Sequence, residues 1–195
     1  QHTTMDVTPD AVHRIGLAEV ARIDSAMARV RAELGFTGTK AQFHDSLRKD
    51  ARFYAKTPEE FGEKLMYHDA RIRPRVGDYF TKLPRAQGDV RRLDPRLEGA
   101  MTVGFYQEPS VQDSMGHYFF NGSNLPQRSM LQGAALVFHE LIPGHHFQVA
   151  IQRENGALPQ FRREGGYTAF TEGWGDYASA LAGEMGLYSD PYDRY

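Results

Sequence analysis

The sequence predicts a mainly α-helical fold with one small β element placed ahead of its last helices. Three observations carry this reading. Apolar residues recur every three or four positions over long stretches, helix-start and helix-stop residues bracket those stretches, and a glycine- and proline-rich middle segment holds short β-prone runs. At 195 residues the chain is long enough for one domain with a sizeable core.

Thr8-Pro9-Asp10 sets a capping hydroxyl, a first-turn proline and a first-turn acid ahead of Val12, Ile15, Val20, Ile23, Met27 and Val30, which recur at helical spacing. The pattern predicts an amphipathic helix from about Pro9 to Leu34, stopped by Gly35. A shorter helix is expected over Lys40 to Arg48. Thr57-Pro58-Glu59-Glu60 forms a capping box that starts a third helix, running to about Lys82 and kinked or broken at Pro74. Between Pro84 and Pro126 the β-prone runs are Asp89 to Leu93, Met101 to Tyr106 and His117 to Asn121. From Gln127 the helical pattern returns, with Met130, Ala134, Val137, Phe138 and Leu141 as its apolar stripe, and Tyr167 to Glu184 supplies a last helix before Gly186. Residues 1–84 thus read as a helical scaffold, 85–126 as the β element and 127–195 as the helices that carry chemistry.

Hydrophobic residues at 41% and charged residues at 25% are globular values, which excludes wholesale disorder and low-complexity structure. With 23 basic against 25 acidic side chains there is no field to hold a phosphate backbone, so no nucleic-acid partner is expected. No apolar run reaches the roughly 18 residues of a spanning helix, so no membrane span is expected. Gln1-His2-Thr3-Thr4 is not a signal peptide, and the absence of cysteine leaves the compartment open, an exported or periplasmic location included. That absence also leaves His, Asp and Glu as the strong metal ligands.

Three of the eight histidines fall within Phe138-His139-Glu140-Leu141-Ile142-Pro143-Gly144-His145-His146-Phe147-Gln148. The familiar zinc pattern H-E-x-x-H puts two imidazoles one turn apart on a helix, with the intervening glutamate beside the activated water as general base. Here position i+4 from His139 is Pro143, so the second ligand is His145 or, ranked after it, His146. On an unbroken helix i+6 lies about 240° around and about 9 Å along the axis, a poor arrangement for one ion. Pro143 cannot donate to the carbonyl of His139 and Gly144 tolerates unusual dihedrals, so a bulge is expected that loops out two residues and restores His145 to an i+4-like place. A tetrahedral catalytic zinc needs a third protein ligand. Glu172, in Phe170-Thr171-Glu172-Gly173-Trp174-Gly175-Asp176, is the choice, with Asp176 one turn later placed to orient a ligand histidine. Glu164 competes, but Gly165-Gly166 after it reads as a loop. A lone histidine or acid on a helix is most often structural, and Trp174 taken singly reads as core; it is the joint occurrence that outweighs this.

The stretch H-E-x-x-P-G-H-x-x-Q over His139 to Gln148, together with Thr171-Glu172-Gly173-Trp174, resembles the bacterial family known as domain of unknown function 885, itself similar to the glutamate-zincin metallopeptidases. The similarity extends back through Asn121, Ala51-Arg52-Phe53-Tyr54 and Val12 to Val20. The resemblance implies a helical zincin-like metallopeptidase architecture, His139 and His145 as fixed histidines, Glu140 as base and Glu172 as third ligand. His146 matches a less fixed position. Asp176 departs from the pattern, which has an apolar residue there. Family members are longer, so residues 1–195 are expected to be a single domain that is a fragment of a larger helical protein.

The chemistry expected is zinc-dependent hydrolysis of an amide in a peptide or small amide substrate, with Glu140 taking the proton from a water activated by Zn²⁺. Tyr167, Tyr177 and His117 are unranked candidates to stabilise the oxyanion. His117 to Asn121 is the strand placed to pair with an extended substrate. A zinc hydrolase of small non-peptide amides or esters, and a non-catalytic helical binding domain, stay open as alternatives.

Overall fold

The capping residues start the helices where their hydrogen-bonding needs place them. In the computed structural model, which describes residues 3–195, Thr8 Oγ1 accepts the Ala11 N–H at 3.2 Å and α1 runs Pro9–Glu33, closed by Gly35 at φ 72°. Thr39 and Gln42 form a reciprocal box at the head of α2, Lys40–Lys49. Thr57 accepts the Glu60 N–H at 3.1 Å to open α3, Pro58–Ile72. Pro74 breaks that helix rather than kinking it: a 3₁₀ turn over Arg73–Arg75 leads into the single turn α4, Val76–Tyr79. The chain leaves at Phe80 with extended dihedrals, short of the expected Lys82.

All three β-prone runs form strands, namely β1 Gly88–Arg92, β2 Gly104–Gln107 and β3 Gly116–Phe120. Their order is β1-β3-β2, with β1 parallel to β3 (Gly88 opposite Gly116) and β2 antiparallel to it (Gly104 opposite Phe120). Buried Asn121 fixes the approach to β2, its amide donating to the carbonyls of Glu98, Met101 and Thr102.

The last third holds α5 Gly133–Glu140, α6 His145–Glu154, α7 Gln160–Glu164 and α8 Thr168–Glu184. The helix expected from Gln127 begins six residues later, because Leu125-Pro126-Gln127 closes a separate 3₁₀ turn. Leu65 and Ile72 of α3, Tyr118 and Phe120 of β3, Val137 and Phe138 of α5, Phe147 of α6 and Ala182 of α8 meet in one core. α3 packs against both β1 and α5, and α8 packs on α5 as well. Of the stripe expected to bury α1, only Val30 is enclosed; Val12, Ile15, Val20 and Ile23 are exposed among the described residues. No helix of the described residues is long and apolar enough to cross a membrane.

Candidate metal centre

The helix carrying His139 ends immediately after it. Leu141 leaves helical space at φ −108°, ψ −96°, the Ile142–Pro143 bond is cis, and α6 begins anew at His145. The expected bulge inside one helix is therefore corrected to two helices joined at a tight corner. The corner demands glycine: a Cβ on Gly144 would sit 1.8 Å from the His139 carbonyl oxygen and 2.5 Å from that of Phe138. The His139 carbonyl, to which Pro143 has no N–H to give, thus faces a backbone that packs directly against it.

Restarting the helix sends its first two residues in different directions. His145 turns toward His139, their ring centroids 4.5 Å apart and nearly perpendicular. His146 turns the other way into full burial, where Nε2 donates to the Ala86 carbonyl at 3.0 Å and Nδ1 accepts from the Tyr106 hydroxyl at 3.1 Å. Both of its ring nitrogens are used within the protein, and it stands apart from the other donors.

Glu172 arrives from α8. That helix approaches closely because Gly175 presents bare backbone to the His139 ring, and because the Trp174 indole donates to the Pro143 carbonyl at 2.8 Å, tying α8 to the corner. Glu172 Oε2 lies 3.5 Å from His139 Nε2 and 3.6 Å from His145 Nε2. Ligand atoms of all three residues fall within 4.8 Å of one another. These separations are long for hydrogen bonds, but a tetrahedron with zinc–ligand distances of 2.0–2.1 Å has edges of about 3.3–3.4 Å. The donor set, two imidazoles and a carboxylate, is one that zinc accepts, so the residues present fit the ion. Asp176 Oδ1 lies 3.5 Å from His139 Nδ1, on the side where an acid would orient that ring. Glu164 ends α7, where it accepts from Gln160, and is not among the converging donors.

The electrostatics suit the roles. Burial pushes the His145 pKa down, aided by the neighbouring His139 and opposed by Glu172 and Asp176, which favours the neutral imidazole that a metal requires. Burial pushes the Glu140 carboxyl up; Glu172 adds to this, while His139 and the Tyr106 N–H oppose it. A carboxylate so placed takes a proton more readily than a solvated one.

His139, Glu140, His145 and Glu172 open onto a cleft of about 420 Å³ whose far wall is Gly104, Phe105 and Tyr106 of β2. This corrects the expectation that His117 to Asn121 is the substrate-pairing strand, because β3 is the central strand and both of its edges are taken. The Asn121 N–H donates to Val103 O at 2.9 Å, so alternate residues from Val103 onward bond to β3 while Gly104 and Tyr106 aim N–H and C=O at the free edge. Of the oxyanion candidates, His117 is buried on β3 between Asp89 at 2.5 Å and Asp113 at 2.9 Å, away from the cleft. Tyr177 packs near Trp174 and Tyr167 lines a neighbouring cavity, so none of the three borders the cleft. Sequence reasoning missed Phe105 and Tyr106; their β-prone run was visible, but its place at a sheet edge was not.

The sequence profile of a bacterial family described as proteins of unknown function (DUF885) matches residues 1–195. The chain belongs to this family. The DUF885 chain is also similar to a solved structure, "the putative lipoprotein from Colwellia psychrerythraea", at 30% identity and a TM-score of 0.92. The match covers 99% of this chain and 34% of that one, so this DUF885 chain spans about a third of its relative's length. No curated protein matches it.

Proposed function

We propose that the chain carries the catalytic centre of a zinc-dependent hydrolase, a metallopeptidase that cleaves amide bonds. One observation carries the reading: two imidazoles and a carboxylate converge at coordination spacing, with a half-buried glutamate beside them in an open cleft. His139, His145 and Glu172 would hold the ion, which supplies Lewis acidity to a water and to the scissile carbonyl. Glu140 accepts the proton at its carboxylate and returns it to the leaving amine. Gly104 offers its main-chain N–H and C=O, and Tyr106 its C=O, to an extended peptide along the β2 edge, in the manner of strand addition, while the Tyr106 N–H faces Glu140. The preference for a peptide over a small amide rests on that edge. Similarity to the putative lipoprotein from Colwellia psychrerythraea supports a chain that works outside the cytoplasm.

The test is to load the purified chain with zinc and expose it to a quenched-fluorescent peptide mixture, comparing wild type with Glu140→Gln. Wild type is expected to cleave. The variant is expected to keep one zinc per chain while losing at least about 100-fold in rate, the lower range for a general base. If metal and activity disappear together, Glu140 is a ligand and the assignment of roles fails.

A further inference from the structure

We infer that the cavity next to the metal cleft, built by α6, α7 and α8, is a subsite that receives a neutral aromatic or large aliphatic side chain of a peptide substrate. The inference rests on the peptidase reading and deepens it. Two helices carry the same floor from the cleft into this cavity. On α6, His145, Val149 and Gln152 follow each other at i, i+4 and i+7, which places them on one face; the first two line the cleft and the third lines the cavity. At the head of α8, Thr171 lines the cleft, and Tyr167, which caps the helix one turn earlier, lines the cavity. From His145 to Gln152 the axial advance is about 10.5 Å, and an extended peptide advances about 3.4 Å per residue. A side chain about three residues from the scissile bond therefore reaches it.

The chemistry of the walls sets the occupant. The cavity, about 910 Å³, is bordered by Leu158, Phe161, Tyr167 and Phe170, and the three aromatics are 74%, 66% and 55% exposed. So much aromatic surface gathered in one concavity marks a binding site rather than the scatter of single exposed residues. The polar floor is already consumed: the Gln152 amide donates to the carbonyls of Arg162 and Gly165, both at 2.7 Å, and accepts from Gln148 at 2.6 Å. What faces an occupant is chiefly ring surface, with Thr4 and Arg162 at the border and Arg162 disfavouring a cationic side chain.

The experiment uses zinc-loaded Glu140→Gln to measure binding without turnover. Fluorescein-labelled octa-alanine and its eight single-phenylalanine versions are titrated by anisotropy, and wild type is assayed for cleavage of the same series. At least one phenylalanine position is expected to bind at least tenfold tighter than octa-alanine. That advantage is expected to fall to within twofold when Tyr167→Ala and Phe170→Ala are combined, with zinc affinity unaltered. Phe170→Leu should keep part of it, since an aliphatic side chain still covers the ring surface. Peptides that bind or are cut with no phenylalanine preference, or a preference that survives the double substitution, overturn the subsite alone. A double substitution that changes only the sedimentation coefficient assigns the cavity to another polypeptide and likewise overturns it. Failure of every peptide to bind zinc-loaded protein sinks the peptidase reading and the subsite together.

Discussion

Gly175→Ala adds one methyl group at the contact between α8 and His139. The new Cβ would stand 2.6 Å from His139 Cε1 and 2.8 Å from each ring nitrogen, whereas ordinary contact begins at 3.4 Å. The ring must retreat by about 0.8 Å, and the His145 ring, 4.5 Å away between centroids, limits where it can go. Alternatively α8 withdraws and takes Glu172 with it. Either way a donor moves well beyond the roughly 0.2 Å tolerance of a metal–ligand distance, so zinc affinity should fall about 10- to 100-fold, the range seen when groups that orient a ligand are lost. The metal-free fold should suffer less, because alanine improves on glycine inside a helix by about 1 kcal/mol, offsetting part of an overpacking cost of about 1–3 kcal/mol. Gly173→Ala is the matched control: nothing lies within 4 Å of its Cβ, so it gains the helix preference and leaves zinc binding within about twofold. Isothermal titration of the metal-free proteins with zinc chloride, beside thermal unfolding of the same samples, separates the two effects. Gly175→Ala binding zinc as tightly as wild type, or Gly173→Ala losing as much, would refute the argument.

Glu172→Ala should lower zinc affinity by at least about 10- to 100-fold, with Glu172→Asp between it and wild type and Glu164→Ala unchanged; the reverse order for Glu164 and Glu172 would mean the wrong carboxylate was chosen. His146→Ala should retain one zinc per chain yet lose about 2–3 kcal/mol in urea unfolding, because it opens a cavity and strands the Tyr106 hydroxyl and Ala86 carbonyl; zinc lost at unchanged stability would make His146 the ligand. Burial, aided by Arg71, pushes His68 down from 6.5 to about 4. The unfolded chain then binds more protons between those values, so stability falls as pH drops from about 6.5 to about 4. His68→Phe should flatten that slope in pH-dependent denaturation, and an unaltered slope would show that the group does not titrate as described.

The helices were legible because caps are local: Thr8, Thr39 and Thr57 each satisfy N–H groups three residues on, whatever the tertiary fold. The candidate site was legible as residue types for a similar reason, since His139, Glu140, His145 and Glu172 are what zinc chemistry calls for. Strand order was not, because β2 and β3 have comparable β-prone patterns and only the packing of the sheet decides which keeps a free edge. His117 looked available because its partners, Asp89 and Asp113, come from another strand and a loop. The Pro143-Gly144 interruption announced itself, yet its form depends on how closely Gly144 meets the His139 carbonyl, a contact no spacing rule contains.

The break between α5 and α6 also changes what aims the second histidine. In an unbroken zinc helix the two ligands share one hydrogen-bonded ladder, and the bearing of the second is inherited from the first. Here His145 Nδ1 is enclosed and makes no hydrogen bond among the described residues, so the ring is held by its helix. The roll of α6 about its own axis is set from the opposite side by buried His146, Phe147 and Ala150. A side-chain tip lies about 5.5 Å from a helix axis, so a roll of about 10° swings it by about 1 Å. The core residues of α6 thus set the bearing of a proposed zinc ligand, and repacking them should change zinc affinity from a distance without touching any donor.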